Sequence, residues 1–164
     1  MSAKAAAFIK LMRNPLKFRL FLFTKLPAAY FAGVRVKEMD QHRCLVTVPY
    51  KWFSKNPFRS TYFACLSMAA EMSTGALAMA HIYQSDPPVS MLVVKVESEY
   101  FKKAIGNTRF VCLDGEFFEK AVAEAITTGE PRTVRAKSIG RNKDGEVVAE
   151  FYITWSIKAK PKAD

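Results

Sequence analysis

Apolar residues recur along this chain with two different periods, and one stretch obeys neither. At residues 146–158, Val147, Ala149, Phe151, Ile153, Trp155 and Ile157 alternate with mostly polar neighbours, the two-residue period of a half-buried strand. Residues 133–141 alternate too, Val134, Ala136 and Ser138 against Arg135, Lys137 and Ile139, and Lys143-Asp144-Gly145 supplies the hairpin turn between the two strands. Shorter strand patterns fall at 34–39 and 43–50, joined by a turn at Asp40-Gln41, and at 89–101 and 108–113, where Gly106-Asn107 predicts a hairpin. The helical period marks two other segments. Residues 116–127 place Phe117, Phe118, Ala121, Val122, Ala125 and Ile126 on one face before Gly129 and Pro131 stop the helix. Residues 3–26 repeat Phe8, Leu11, Met12, Leu16, Leu20 and Phe23 at helical spacing, with a restart at Pro15.

The stretch that obeys neither period is 60–83, STYFACLSMAAEMSTGALAMAHIY. It is rich in Ala and Met, strong helix formers, and predicts roughly six turns at about 3.6 residues each. Ser60 or Thr61 is the expected N-cap. No Lys or Arg occurs between Arg59 and Lys95, and the only carboxylate in the stretch is Glu71. A helix apolar on all sides is either buried or membrane-spanning. Its Ala, Ser, Thr and Gly content, with a carboxylate that would cost about 2.5–3.5 kcal/mol at the bilayer centre, argues for burial. Strands that alternate apolar-in and polar-out need a cover on one face. The expected fold is therefore α+β, an antiparallel sheet wrapped around one long central helix.

With 164 residues and half of them hydrophobic, the chain suits one domain with a sizeable core. We divide it into an N-terminal helical extension at 1–32, the sheet-and-helix domain at 33–158 and a frayed tail at 159–164. The net charge of +10 points to an anionic partner, whether nucleic acid, a membrane surface or a phosphorylated ligand. The basic segment at 3–26 either lies over the domain with a solvated charged face or makes a peripheral membrane contact; we favour the first. No aromatic-interleaved basic motif of the RNA-reading kind occurs, so no nucleic-acid partner is expected. Cys44, Cys65 and Cys112 lack metal-ligand spacing and suit packed, reduced thiols. No metal site is expected. The N-terminus has no secretory pattern, and the cytoplasm is the default location.

Glu71 is the residue to explain. A carboxylate carried into the interior loses hydration, its pKa rises, and it becomes a better base toward water. The alternative is a structural carboxylate, hydrogen-bonded or paired across an interface. Asn56 lies six residues before Tyr62, and Tyr62 nine before Glu71. At these spacings the chain resembles the hotdog-fold thioesterases of the phenylacetate-pathway and human acyl-coenzyme A thioesterase type, and within them a poorly characterised branch. Those enzymes carry Asn in the loop, His-Gly-Gly at the start of the buried helix and Asp or Glu nine residues further. Here Tyr62-Phe63-Ala64 stands in place of His-Gly-Gly. The segment Pro87-Pro88-Val89-Ser90 resembles the family's strand whose Ser lies beside the site.

The resemblance implies a hotdog fold and an acyl-coenzyme A thioesterase. Glu71 would be the base, Asn56 the orienting amide, and the backbone N–H groups of Phe63 and Ala64 the oxyanion hole. Tyr62 and Ser90 would contact substrate, with Lys102, Lys103, Arg109, Arg135, Lys137 and Arg141 as candidates for holding phosphates. No cofactor is needed, since coenzyme A arrives as part of the substrate. Two protomers sharing the site, as a homodimer or a dimer of dimers, are expected. The alternative function is a non-catalytic hotdog protein that binds an acyl chain or another lipid.

Overall fold

Six antiparallel strands form one sheet that curls around the long helix, as the computed structural model, which describes residues 3–160, shows. The strands are β1 (Arg35–Met39), β2 (Cys44–Val48), β3 (Val89–Tyr100), β4 (Thr108–Cys112), β5 (Arg132–Arg141) and β6 (Val147–Ala159), in spatial order β1-β2-β4-β5-β6-β3. The helices are α1 (Ala3–Arg13), α2 (Pro15–Lys25), α3 (Pro27–Ala32), α4 (Phe63–Ile82) and α5 (Gly115–Thr128). Cys44, Cys65 and Cys112 are free and buried.

The alternation in β6 does what its pattern predicts. Phe151, Ile153, Trp155 and Ile157 are buried against α4, and Phe110 of β4 meets Phe151 edge-on at 5.7 Å. Full burial of a Phe side chain stabilises by about 1.5–3 kcal/mol, so Phe110, Phe118 and Phe151 anchor the core. Gly140 lets that contact close: a Cβ there would stand 2.5 Å from the Phe110 ring. Two buried hydroxyls, Ser73 of α4 and Ser138 of β5, bond each other at 2.7 Å and tie helix to sheet. The helix α4 is long and apolar enough to cross a bilayer, yet 67% of its most apolar stretch is buried in this fold.

The N-terminal segment 3–26 is a helix pair with its restart at Pro15, as expected, and a short third helix, α3, follows it. Asn14 Oδ1 accepts from the N–H groups of Leu16 and Lys17 at 3.1 and 3.0 Å, and Pro15 fills the first position of α2. Pro27 likewise opens α3, and Gly33 closes it at φ +81°.

Three expectations change. The N-cap of α4 is Tyr62, without a side-chain cap, because Ser60 is bonded to Asn56 and Thr61 Oγ1 donates to the Ala104 carbonyl at 3.0 Å. Gly106-Asn107 makes no hairpin: β3 pairs along its length with β6, whereas β4 sits between β2 and β5. Gly106, at φ +101°, instead accepts the Tyr50 N–H at 2.9 Å. Ala159 is the last residue of β6 rather than tail, and Lys160 N–H bonds the Pro88 carbonyl. The rest of the expected tail, 161–164, lies outside the described residues.

The two edges of the sheet differ in kind. β1 is short, carries Arg35, Lys37 and Glu38, and is broken by a register shift between Val36 and Glu38, the features that blunt an edge. β3 is 12 residues long with Leu92, Val94 and Val96 exposed. Such an edge is a template for another strand.

Candidate active site

The start of α4 is the most open part of its surface. Tyr62 N–H donates to the Ser54 carbonyl at 2.7 Å, which fixes where the helix begins. The N–H groups of Phe63 and Ala64 follow, and neither has a hydrogen-bond partner among the described residues. They stand at the positive end of the helix dipole. A cavity of about 730 Å³ opens there, lined by Asn56, Phe58, Tyr62, Phe63, Leu66, Tyr100 and Phe101, with Lys55, Lys102 and Lys103 among its cations. Lys102 pairs with Glu146, and Lys103 Nζ reaches the Phe58 carbonyl at 3.3 Å.

Asn56 belongs to this cavity, and most of its amide is committed. Its Oδ1 accepts from the N–H groups of Phe58 and Ser60 at 2.9 and 3.2 Å, and Nδ2 donates to Ser60 Oγ at 3.1 Å. The side chain thus folds the loop on itself, a local turn of the Asx kind. One amide hydrogen remains for an outside acceptor.

Glu71 lies in a second cavity, about 350 Å³, between α4 and the N-terminal helices. Phe8, Met12, Phe18, Phe21, Leu26, Met79, Met91 and Trp155 make its walls apolar. The carboxylate has no hydrogen bond or ion pair among the described residues. Loss of hydration raises its pKa above the ordinary carboxylate value. It folds back over Gly75, where a Cβ would come within 3.0 Å of Glu71 Oε1 and 3.1 Å of the Trp155 ring. Residue 75 must therefore be small for helix, ring and carboxyl to meet. Trp155 Nε1 donates to Thr74 Oγ1 at 3.0 Å and holds the ring in place.

Within one chain, then, Asn56, Tyr62 and Phe63 share a cavity, and Glu71 occupies another, about 13 Å along the helix from Tyr62 at 1.5 Å per residue. Ala64, in the first turn of α4, is half-buried. Ser90 lines neither cavity, its hydroxyl donating to the Lys158 carbonyl at 3.2 Å. His81 is part-buried and bonds the Gln41 carbonyl through Nε2 at 3.0 Å, and its burial lowers its pKa. Of the cations picked from the sequence, Lys102 and Lys103 reach the cavity at the helix start, while Arg135 and Lys137 are paired with Glu97 and Glu150. Spacing did not reveal Lys55, Tyr100 and Phe101, nor the N-terminal wall around Glu71. Its one trace was the excess of apolar residues in 3–26 beyond a single helical stripe.

Several solved structures share this architecture. A protein of unknown function from Pseudomonas aeruginosa, described as a probable thioesterase, superposes with a TM-score of 0.74 at 21% identity, covering 89% of this chain and 97% of that one. A protein of unknown function from Chlorobaculum tepidum gives 0.74 at 16% identity, covering 89% and 97%. A thioesterase from Haemophilus influenzae gives 0.62 at 11% identity, covering 85% and 88%. No curated protein matches by sequence. The chain is thus a hotdog-fold protein, its sheet curled around one central helix. Residues 17–157 match the model of the DUF4442 family, a domain of unknown function, and the chain belongs to that family.

Proposed function

We propose that the protein hydrolyses acyl-coenzyme A thioesters at a site completed between two protomers joined along β3. The observation that carries this reading is the separation just described: a partly desolvated carboxylate in one cavity and two N–H groups in another, all without partners among the described residues. The parts needed for acyl transfer are all present in the chain but do not meet within it. An antiparallel partner along the exposed β3 edge would bring the helix start of one protomer toward Glu71 of the other.

The chemistry follows from the groups. Glu71 takes a proton from water, and the hydroxide forms a C–O bond at the thioester carbonyl carbon. The oxyanion is held by the N–H groups of Phe63 and Ala64 of the other protomer, and Asn56 and Tyr62 orient the carbonyl. Collapse breaks the C–S bond, the proton on Glu71 passes to sulfur, and a carboxylic acid and the coenzyme A thiol leave. Lys55, Lys102 and Lys103 suit the phosphates at the mouth of the site, and the apolar walls around Glu71 suit an acyl chain. Thiol release from a panel of acyl-coenzyme A substrates tests the proposal. Turnover by the native protein, lowered about 10²–10⁴-fold in Glu71→Gln, is expected; turnover unchanged by that substitution removes Glu71 from the role.

The replacement of His-Gly-Gly by Tyr62-Phe63-Ala64 favours a second reading, in which the same cavities hold an acyl ligand without turnover. Lipid recovered with the purified protein, together with no thiol release from any substrate, would select it.

A further inference from the structure

The helix α2 has two apolar faces, and only one is used. Phe18 and Leu22 are buried beneath it. Leu16, Leu20 and Phe23, at i, i+4 and i+7, form a second stripe that is 79%, 64% and 54% exposed. From Phe23 the exposed surface continues as a chain of rings: Phe23 to Tyr30 at 5.2 Å, Tyr30 to Phe31 at 5.3 Å, Phe31 to Phe53 at 5.9 Å and Phe53 to Trp52 at 6.4 Å. The adjacent helices α2 and α3 and the turn Trp52–Ser54, twenty residues further on, thus build one aromatic and aliphatic surface. Trp52 at its end is 80% exposed.

The charge around this surface has one sign. Residues 1–37 and 49–70 contain no Asp or Glu. Lys17, Arg19 and Lys25 project from α2, and Lys51 and Lys55 flank the turn. Arg19 is held over the Tyr30 ring at 4.7 Å and donates to its hydroxyl at 2.9 Å, so cation and aromatic belong to one surface. Trp, Tyr and Phe among Lys and Arg form the composition that settles at the headgroup level of a bilayer. A second copy is a poor occupant, because an isologous contact would set the same cations against each other.

We infer that this surface docks the protein onto a membrane of anionic lipid, with the stripe of α2 and Trp52 entering the headgroup layer. It lies on segments that flank β1 and β2, away in strand order from β3, so docking and pairing along β3 do not compete for the same strand.

The sequence contains its own reporter. Of its two tryptophans, Trp155 is 5% exposed and only Trp52 faces solvent. The protein is mixed with vesicles of phosphatidylcholine alone or of phosphatidylcholine and phosphatidylglycerol in equal parts, and flotation and tryptophan emission are read. Flotation with the anionic vesicles, weakened by salt, and a blue shift that disappears in Trp52→Phe are expected. Leu16→Glu with Phe23→Glu should lower partition about tenfold or more, and Lys17→Glu with Lys25→Glu, a swing of four charges, about a hundredfold or more. Both pairs are exposed, so melting temperatures measured alongside should hold; if the first pair melts early, the second gives the answer alone. No flotation with anionic vesicles, equal flotation with both compositions, or an unmoved Trp52 emission would overturn the inference. So would variants that lose self-association in sedimentation while partitioning as before, since a second copy would then be the occupant.

Discussion

Neutralising Glu71 should make the protein more stable and less active at once. The carboxylate sits among Phe18, Met79, Met91 and Trp155 without a partner among the described residues, and lost hydration raises its pKa above the ordinary 4.5. The sign follows by linkage. A carboxyl whose folded pKa lies above its unfolded one binds its proton more tightly when folded, so it costs nothing below the unfolded pKa. The cost grows as pH rises through the folded pKa and then stays constant. Glu71 is only part-buried and its oxygens are not sealed from solvent, so the cost falls at the low end of the range for an unpartnered buried polar group, about 1 kcal/mol. In a chain of this size each kcal/mol moves Tm by about 2–4 °C. Glu71→Gln, which keeps the shape and removes the charge, should therefore raise Tm by about 2–4 °C at neutral pH, and the gain should vanish near about pH 4. Calorimetric melting of both proteins across that range is the assay. A lower Tm at neutral pH would mean that the native carboxylate is paired, and a gain that does not depend on pH would mean that its charge is not the cost; either refutes the reasoning.

Two further pairs of substitutions test the packing that holds the site. Gly140→Ala places a Cβ 2.5 Å from the fully buried Phe110 ring, and this overpacking should cost about 1–3 kcal/mol by urea unfolding, with Gly145→Ala, in open space but at φ +84°, as a comparison that crowds nothing. Ser73 and Ser138 should respond unequally. Ser73→Ala strands the Ser138 hydroxyl, for about 1–3 kcal/mol, whereas Ser138→Ala leaves Ser73 bonded to the Ala70 carbonyl at 2.7 Å and should cost about 0.5–1.5 kcal/mol.

The frame of the fold was legible because it rests on patterns that burial imposes. The missing cations between Arg59 and Lys95 announced α4, and the alternation from Val147 to Ile157 announced β6 with the correct face inward. What failed depended on contacts far apart in sequence. Ser60 and Thr61 have the chemistry of N-caps, but Asn56 and the Ala104 carbonyl, 43 residues from Thr61, claimed them. Gly106-Asn107 has the composition of a hairpin turn, but β3 found its long apolar partner in β6, and a dipeptide cannot outweigh a ladder from Val89 to Tyr100. The site was legible as residue types and spacing, and not as a place. Spacing along a helix puts Glu71 about 13 Å beyond Tyr62, but which cavity its side chain enters is decided by α1 and α2, which the motif does not include.

Complementation between inactive protomers tests the shared site most directly. Glu71→Gln supplies an intact helix start, and a second variant, Asn56→Ala with Tyr62→Phe, supplies an intact carboxylate. Each is purified alone, and the two are then unfolded together, refolded as a mixture and assayed for thiol release from acyl-coenzyme A. If the site joins Glu71 of one chain to Asn56, Phe63 and Ala64 of another, mixed dimers contain one whole site and the mixture regains about a quarter of native turnover under random pairing. Turnover in the mixture no higher than the average of the two separate variants would contradict a site built across the protomer boundary.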